Sequence, residues 1–582
     1  MPGGLLNLIA YGNQNIILNG NPKKTFFKSV YVKYTNFGIQ KFRLDYQGSR
    51  DIDPNNDSVY TFKIPRNAEL LLDSYLCFTL PDIWSPIWPP TELGDIWKPY
   101  HFKWINNIGT SLIKTVKVMI GSQLIQEYPG EYIRCVVERD YTQDKKKMFD
   151  IMTGNIVEIH SPEIYNLNSV TNYPNAIYRE VDQEPSIRRR KIYVPLNPWF
   201  MNNTQMSLPL VALQYNEVTI EITLKPIKEM FTINNVEPIE EPTKIEYKKK
   251  LENLFTRIQP DFTNERHLLY RFLQQPPSVY IYEDDYNNKI TSWNADVHLI
   301  SNYCFLTKEE SRVFALNEQK YLIKDVKYNI HYNLAGSNKL KIDTNALVSS
   351  WMWFFRRSDV FKRNEWSNYT NWRTIDKPYK LLNSTEIDSP IVVNIEYGNN
   401  NNNFITDTNS QIINVRTNTN YDSYESGNYT IKYVNNSFTP LFSQENEKFI
   451  LQNFSILFDG KYREVNMEAG IYNYLEPYRA SNLSNDIGLY CYNFGINTTD
   501  IHQPSGAINL SRFKKIEFEI TTIEPPIDPS AEFFTICDQN GGIIGVSKDR
   551  SQYLYNYEMH IFEERYNVLR LISGNGGLLY AR

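Results

Sequence analysis

At 582 residues, the chain is long enough for two to four domains, each able to bury its own core without metals or disulfides. Lys plus Arg is 61 and Asp plus Glu is 66, a formal net charge of −5, which argues against a protein that coats nucleic acid with a strongly basic face. No run approaches the roughly 18 consecutive apolar residues of a bilayer span.

Aromatic residues make up 14% of the chain, with 42 Tyr, 30 Phe and 30 Pro. Tyr and Phe favour pleated, half-buried surfaces, whereas Pro and the abundant Asn favour turns. The expected class is all-β with long connections and few short helices. Cys77, Cys135, Cys304, Cys491 and Cys537 are far apart and never form CxxC. They read as buried apolar thiols in a reducing compartment.

In chain order, the opening MPGGLLNLIAYGNQN lacks a basic n-region and a small-residue cleavage site, and Pro2 removes the glycine that myristoylation needs. The expectation is a soluble chain made in the cytoplasm. Thr115–Ile120 alternates through Val116, Val118 and Ile120, which predicts a strand with one buried face. Glu217–Leu224 does the same with Val218, Ile220, Ile222 and Leu224, as does Lys515–Ile520 with Ile516, Phe518 and Ile520. Short helices are predicted at Glu131–Arg139, Lys244–Phe255 and Lys308–Leu316. No βαβ rhythm is visible, so a parallel sheet is not expected.

The strand-rich regions form two blocks. Residues 1–25 read as an N-terminal arm, 26–230 as a first domain and 231–262 as a linker containing the Pro- and Lys-rich stretch Pro238–Lys250. Residues 263–582 read as a second domain, interrupted by an Asn-, Ser- and Thr-rich insertion at about 382–445, including Asn399–Asn403, expected to be a surface loop or tower. A smaller Trp- and Pro-rich insertion, Trp84–Trp104, is expected to sit on the outside of the first block.

Chemistry-bearing motifs are missing from the sequence. There is no GxxxxGK[ST], HExxH or GxSxG, and the expectation is no catalytic residue, no metal site and no cofactor. Gly574-Asn-Gly576-Gly577 half-matches a dinucleotide fingerprint, but Leu579 takes the third glycine position, so a glycine-rich turn is preferred. The seven histidines are scattered, and Glu283-Asp284-Asp285 reads as a solvated loop rather than a cation site. Three basic runs, Lys145–Lys147, Arg188–Lys191 and Lys248–Lys250, could meet nucleic acid or anionic lipid, but a solvated or ion-paired face is preferred. Sequons at Asn368, Asn383, Asn428, Asn435 and Asn482 are expected by chance in such a composition, and only those in the polar insertion are entertained as modified.

Gly20-Asn-Pro-Lys-Lys-Thr-Phe-Phe-Lys28, with Val30-Tyr31 and Thr35-Asn36-Phe37, resembles the opening motif of the major capsid proteins of nucleocytoplasmic large DNA viruses. Tyr193–Phe200 and Leu208–Tyr215 resemble that family's closing strands of the first domain, and Leu306–Glu310 with Tyr321–Ile323 a segment early in the second. Tyr474–Tyr478, Gly488–Tyr492, Gln503–Gly506, Asn509–Arg512, Tyr566–Arg570 and Ser573–Leu578 follow in the family's order. Asp459 stands where the family often has Asn before Gly460, and Ala507-Ile508 after the QPSG motif is a second departure from its pattern.

The resemblance implies a double jelly-roll, two consecutive antiparallel β-sandwiches standing side by side. Three subunits would form a homotrimer with six lobes, a pseudo-hexagonal capsomer tiling an icosahedral virion. The implied partners are neighbouring capsomers, minor capsid and penton proteins, and the inner viral membrane near the arm, with no specific nucleic acid. It also implies a late structural protein, not an enzyme, assembled in the host cytoplasm. The alternative is a carbohydrate-binding or host-attachment β-sandwich, since jelly-rolls also serve lectins; no carboxylate pair favours glycan hydrolysis.

Overall fold

The computed structural model describes residues 3–29, 31–48, 51–89, 98–162, 184–237, 257–276, 286, 288–375, 447–482, 488–500, 503–527 and 553–580, with the backbone of a few short strands at 393–431 and 533–548. Eight principal strands come first: β1 (Phe37–Leu44), β2 (Ser58–Ile64), β3 (Leu70–Leu80), β4 (Ile113–Ile120), β5 (Gln123–Tyr128), β6 (Arg190–Pro195), β7 (Val218–Leu224) and β8 (His298–Leu306). Eight more follow: β9 (Gln319–Leu334), β10 (Ser337–Lys341), β11 (Leu347–Arg357), β12 (Leu451–Phe458), β13 (Lys461–Glu468), β14 (Leu489–Asn493), β15 (Ile516–Thr522) and β16 (Tyr557–Ile572). Among the described helices are α1 (Gly3–Ile9), α2 (Gly130–Asp140), α3 (Gln143–Thr153) and α4 (Lys308–Leu316).

All ladders between these strands are antiparallel, and the same order occurs twice. In the first half β1-β8-β3 carries β6 on β3 and faces β2-β7-β4-β5; in the second, β9-β16-β11-β14 faces β10-β15-β12-β13. Counted within each half, the facing sheets read 1-8-3-6 and 2-7-4-5, the twofold Greek-key winding of a jelly-roll. The expected all-β double jelly-roll with few short helices is the fold observed.

The alternating segments behave as strands of a sandwich. In β7, Val218, Ile220, Ile222 and Leu224 are buried while Thr219, Glu221 and Thr223 are half-buried. Their inward residues meet Tyr60, Phe62, Val116 and Val118 in the first core. The second core is aromatic: Trp353 stacks on Phe454 at a ring separation of 4.4 Å and Trp351 meets Phe518 edge-on at 5.0 Å. Asp459-Gly460 turns β12 into β13 with both residues in the left-handed region (φ 49° and 78°), the type I′ geometry that an Asp-Gly pair favours.

Three expectations about organisation change. The first sandwich does not close near residue 230, because β8 pairs with β1 along its whole length, from Phe37↔Leu306 to Leu44↔Leu299, and with β3 on its other side. Without β8, β1 would be cut off from β3. Its polar residues masked this role: Ser301 hydrogen-bonds to Ser74 at 2.9 Å and Asn302 donates to Asp73 at 3.0 Å, so the strand lacks a clean apolar alternation. The first strand of the second sandwich therefore begins at Gln319 rather than near 263.

The linker set at 231–262 is partly sheet, since Phe231–Asn234 pairs with Lys103–Trp104 and with Arg257–Ile258. The described part of the Trp84–Trp104 insertion is not an outer ornament either. Trp88, Tyr100, Phe102 and Trp104 are buried, with Phe102 stacked on Phe231 at 4.4 Å, because rings of that size must leave water. Lys244–Phe255 and, apart from short backbone strands, the 382–445 insertion lie outside the described residues.

Candidate functional site: the seam between the two sandwiches

β11 contains Ser349-Ser-Trp-Met-Trp-Phe-Phe355, and every residue from Val348 to Arg357 is buried. A strand with one wet face would alternate; this one has none. Trp351, Trp353 and Phe355 point into the second core, whereas Met352 and Phe354 join Phe562, Cys491, Leu569 and Leu571 in the core of the first half. The sheet β9-β16-β11-β14 is thus covered on both faces, once by its own sandwich and once by the neighbouring one.

Helix α2 is the first half's main insertion into this seam. Its start is seated tightly: a Cβ at Gly130 would collide with the backbone oxygens of Thr110 and Ile113. Along its buried face, Tyr132 packs edge-on against Phe562 at 5.6 Å.

Both ends of α2 carry charges into the second half. At the C-terminal end, Arg139 donates to Glu564 of β16 at 2.9 Å and 3.2 Å and to its neighbour Asp140 at 2.7 Å. Glu564 also accepts from Ser350 at 2.6 Å, Tyr132 at 2.9 Å and Lys324 at 3.4 Å. Although burial opposes its charge, Arg139 and Lys324 hold the Glu564 carboxyl far below the usual carboxylate range. Asp140 accepts from Thr498 at 2.7 Å.

At the other end, Glu131 accepts from Lys225 at 3.3 Å and lies 3.9 Å from Arg356, which approaches Glu558 at 3.7 Å. An acidic first turn and a basic last turn also complement the helix dipole. Close by, His560 stacks on Phe354 at 4.8 Å, and its Nδ1 is 2.6 Å from the Tyr328 hydroxyl. Burial, followed by the Arg356 charge, pushes His560 down to about 4, against the opposing pull of Glu558 and Glu131.

A histidine that resists protonation only when folded is neutral in both states above about 6.5, so its contribution is intact there. As the pH falls from about 6.5 to about 4, the unfolded chain takes up a proton that the folded one refuses, and about 3 kcal/mol of stability is lost. His560→Gln is expected to remove that component from the stability–pH profile measured by denaturant unfolding between those limits.

Several backbone contacts also cross the seam. Gln126 donates to Lys324 O at 2.9 Å, Asn364 donates to Lys228 O and Phe231 O at 2.7 Å, and Trp366 donates to Glu229 O at 3.2 Å. At the last hairpin, Ser573 and Gly574 are left-handed (φ 51° and 81°), and Tyr215 N donates to Gly574 O at 3.0 Å. Gly574 thus sits in a turn docked on the first half, while Asn575, Gly576 and Gly577 form a short strand that pairs back on β16.

The other motifs are placed as follows. Lys146 pairs with Glu138, Lys145 sits 3.9 Å above the Tyr141 ring, Arg188 pairs with Glu184 at 2.7 Å and Arg190 with Glu158 at 3.4 Å. Lys146, Arg188 and Arg190 of the two described basic runs are thus ion-paired within the chain; Lys248–Lys250 and Glu283–Asp285 lie outside the described residues. Cys77, Cys135, Cys304 and Cys491 are buried and not in disulfides, with burial pushing the Cys77 and Cys491 thiols up to about 12. The Cys537 side chain is outside the described residues.

Asn368 is buried, donating to Trp372 O at 2.9 Å and accepting from Thr370 at 2.7 Å, so it presents no acceptor for a sugar. Asn482 donates to Asp140 O at 3.1 Å. Asn383, Asn435 and the Asn428 side chain are outside the described residues.

Among the described residues no group of three His, Cys, Asp or Glu is arranged to hold a metal. A cavity of about 490 Å³ is lined by Lys327, Asp343, Thr344, Asn345 and Arg565. Its polar groups are engaged internally: Lys327 donates to Asp343 O, Thr344 to Glu563 at 2.6 Å and Arg565 to Asp325 at 2.6 Å.

Two jelly-rolls of one winding, fused through a sheet buried on both faces, define a double jelly-roll. Two family models match: "Major capsid protein N-terminus" over residues 25–251 and "Large eukaryotic DNA virus major capsid protein" over residues 310–577. The major capsid protein of Phaeocystis pouchetii virus is 23% identical, with 100% of both chains covered. Among solved structures, the capsid of Paramecium bursaria Chlorella virus 1 (PBCV-1) is similar with a TM-score of 0.55 at 18% identity, covering 96% of this chain and 100% of that one. The Faustovirus major capsid protein is similar with a TM-score of 0.55 at 12% identity, covering 98% and 96%. The chain belongs to the family of major capsid proteins of large eukaryotic DNA viruses.

Proposed function

We propose that this chain is the repeating wall unit of an icosahedral virion, and that three copies associate into a pseudo-hexagonal capsomer. The observation that carries this reading is the seam: a sheet buried on both faces and a helix ion-paired at both ends fix two like-wound sandwiches as one rigid block. Three such blocks related by a threefold axis supply six similar lobes, and a closed ring leaves no open interface to propagate into fibres. Neighbouring capsomers, minor capsid proteins and penton proteins are the partners of the outer flanks. The inner viral membrane is the partner on the side of the N-terminal arm, and assembly takes place in the host cytoplasm. Its work is architectural rather than catalytic. In solution at micromolar concentration, mass measurement by light scattering is expected to give three times the 68.5 kDa chain mass. A monodisperse monomer under those conditions would overturn the reading.

A further inference from the structure

Ahead of β1, the described residues join neither sandwich. From residue 1 to 36 the chain carries Lys23, Lys24, Lys28 and Lys33 and no acidic residue. Helix α1 buries nothing, and Phe26, Phe27, Tyr31, Val32 and Tyr34 are all more than four-fifths exposed. Eight of the twelve residues from Phe26 to Phe37 are Phe, Tyr, Val or Thr, which favour strands. Yet residues 31–36, which run directly into β1, lie in no strand. A segment with high strand propensity, exposed apolar side chains and no ladder is a strand awaiting an edge.

The described sheets offer few suitable edges. β14 is buried throughout, and β5 and β9 pack toward each other inside the seam. β1 carries Lys41 and Arg43, β6 Arg190 and Lys191, and β10 Lys339 and Lys341, none with an acidic residue, so all three would repel a basic strand. β2 is bridged at Thr61 by Gln47. The remaining candidate is β13. It pairs only with β12, and none of its residues is buried. Tyr462, Val465 and Met467 are exposed along it. Lys461 and Arg463 stand at its turn end, and Glu464 and Glu468 follow toward the far end. Exposed apolar residues on an unpaired edge are what sheet proteins ordinarily avoid, unless the edge is meant to be covered.

We propose that residues 31–36, with 26–29 before them, add as an extra strand to the free edge of β13 in a second copy. Main-chain hydrogen bonds supply the ladder, Val32 and Tyr34 cover Val465 and Met467 on one face, and Lys33 on the other face approaches Glu464 and Glu468. This is strand addition between identical chains, with specificity set by alternate side chains. It rests on the self-assembly proposed above and names the two surfaces that meet.

The test uses the full-length chain, a variant lacking residues 3–34 that keeps β1, and the exposed-edge variant Val465→Lys. Both variants are expected to melt like wild type but to need at least tenfold higher concentration for half-assembly, read by light scattering on dilution. A chain carrying Val32→Cys, mixed with a mass-tagged chain carrying Val465→Cys, is expected to give a mixed disulfide dimer on oxidation.

Wild-type oligomers matched by both variants, with no mixed dimer, overturn this inference and leave the capsomer reading standing. A disulfide formed within one diluted chain carrying both cysteines overturns it in favour of pairing in cis. Loss of phosphatidylserine-vesicle binding as the sole effect of removing the arm overturns it in favour of a lipid surface. A wild-type chain that never associates overturns the capsomer reading first, and this one with it.

Discussion

Arg139→Met is expected to lower the unfolding free energy by about 3–5 kcal/mol, the range for breaking a buried ion pair from one side. The reason is the company that Arg139 keeps. It neutralises both Asp140 and Glu564, and Glu564 is wholly buried. With the guanidinium gone, Lys324 at 3.4 Å is the remaining cation on Glu564, and Ser350 and Tyr132 can only donate neutral hydrogen bonds. Glu564→Gln should cost less, because Arg139 keeps Asp140. The double variant should be more stable than the sum of the two losses predicts, since the stranded charge is then removed with its partner. Denaturant unfolding of the four chains checks this, and a single-variant cost under about 1 kcal/mol would show that the seam does not depend on the cluster.

Trp353→Ala is expected to cost about 3–5 kcal/mol for a different reason, the loss of a large ring from a packed core. Trp353 is fully buried and lies against Phe454 at 4.4 Å, Tyr472 at 5.6 Å and Tyr490 at 6.0 Å. No neighbour can collapse into so wide a gap without leaving its own rotamer. The adjacent Phe354 points the other way, stacked on Tyr369 at 4.1 Å and His560 at 4.8 Å. Trp353→Ala should therefore loosen the second sandwich internally, while the first keeps its native hydrogen-exchange protection. Equal loss of protection in both halves would contradict the separation of the two cores.

Much of the architecture was legible in the residues. β4, β7 and β15 announced themselves by alternation because each keeps one face wetter than the other. β8 did not, because its Ser301 and Asn302 are satisfied by partners more than 220 residues away in sequence. The seam was the hardest to read. The unbroken apolar run in β11 was its one local signal, and it marks a strand buried on both faces without saying what buries it. Arg139 and Glu564 are 425 positions apart, and nothing around either residue indicates the other. Sequence patterns report the immediate environment of a residue, whereas a buried charge pair is a property of two distant ones.

The late arrival of β8 has a kinetic consequence. At a synthesis rate of roughly 5–20 residues per second, β1 leaves the ribosome some tens of seconds before the strand that must separate it from β3. Throughout that interval the nascent first half has an open slot in its sheet and an exposed hydrophobic interior. Loop closure over such a span is slow by its nature, and the waiting chain is sticky to its own kind. Making this protein in quantity therefore calls for a holding chaperone on the growing chain, and its yield should respond to chaperone supply more than to the stability of the finished fold.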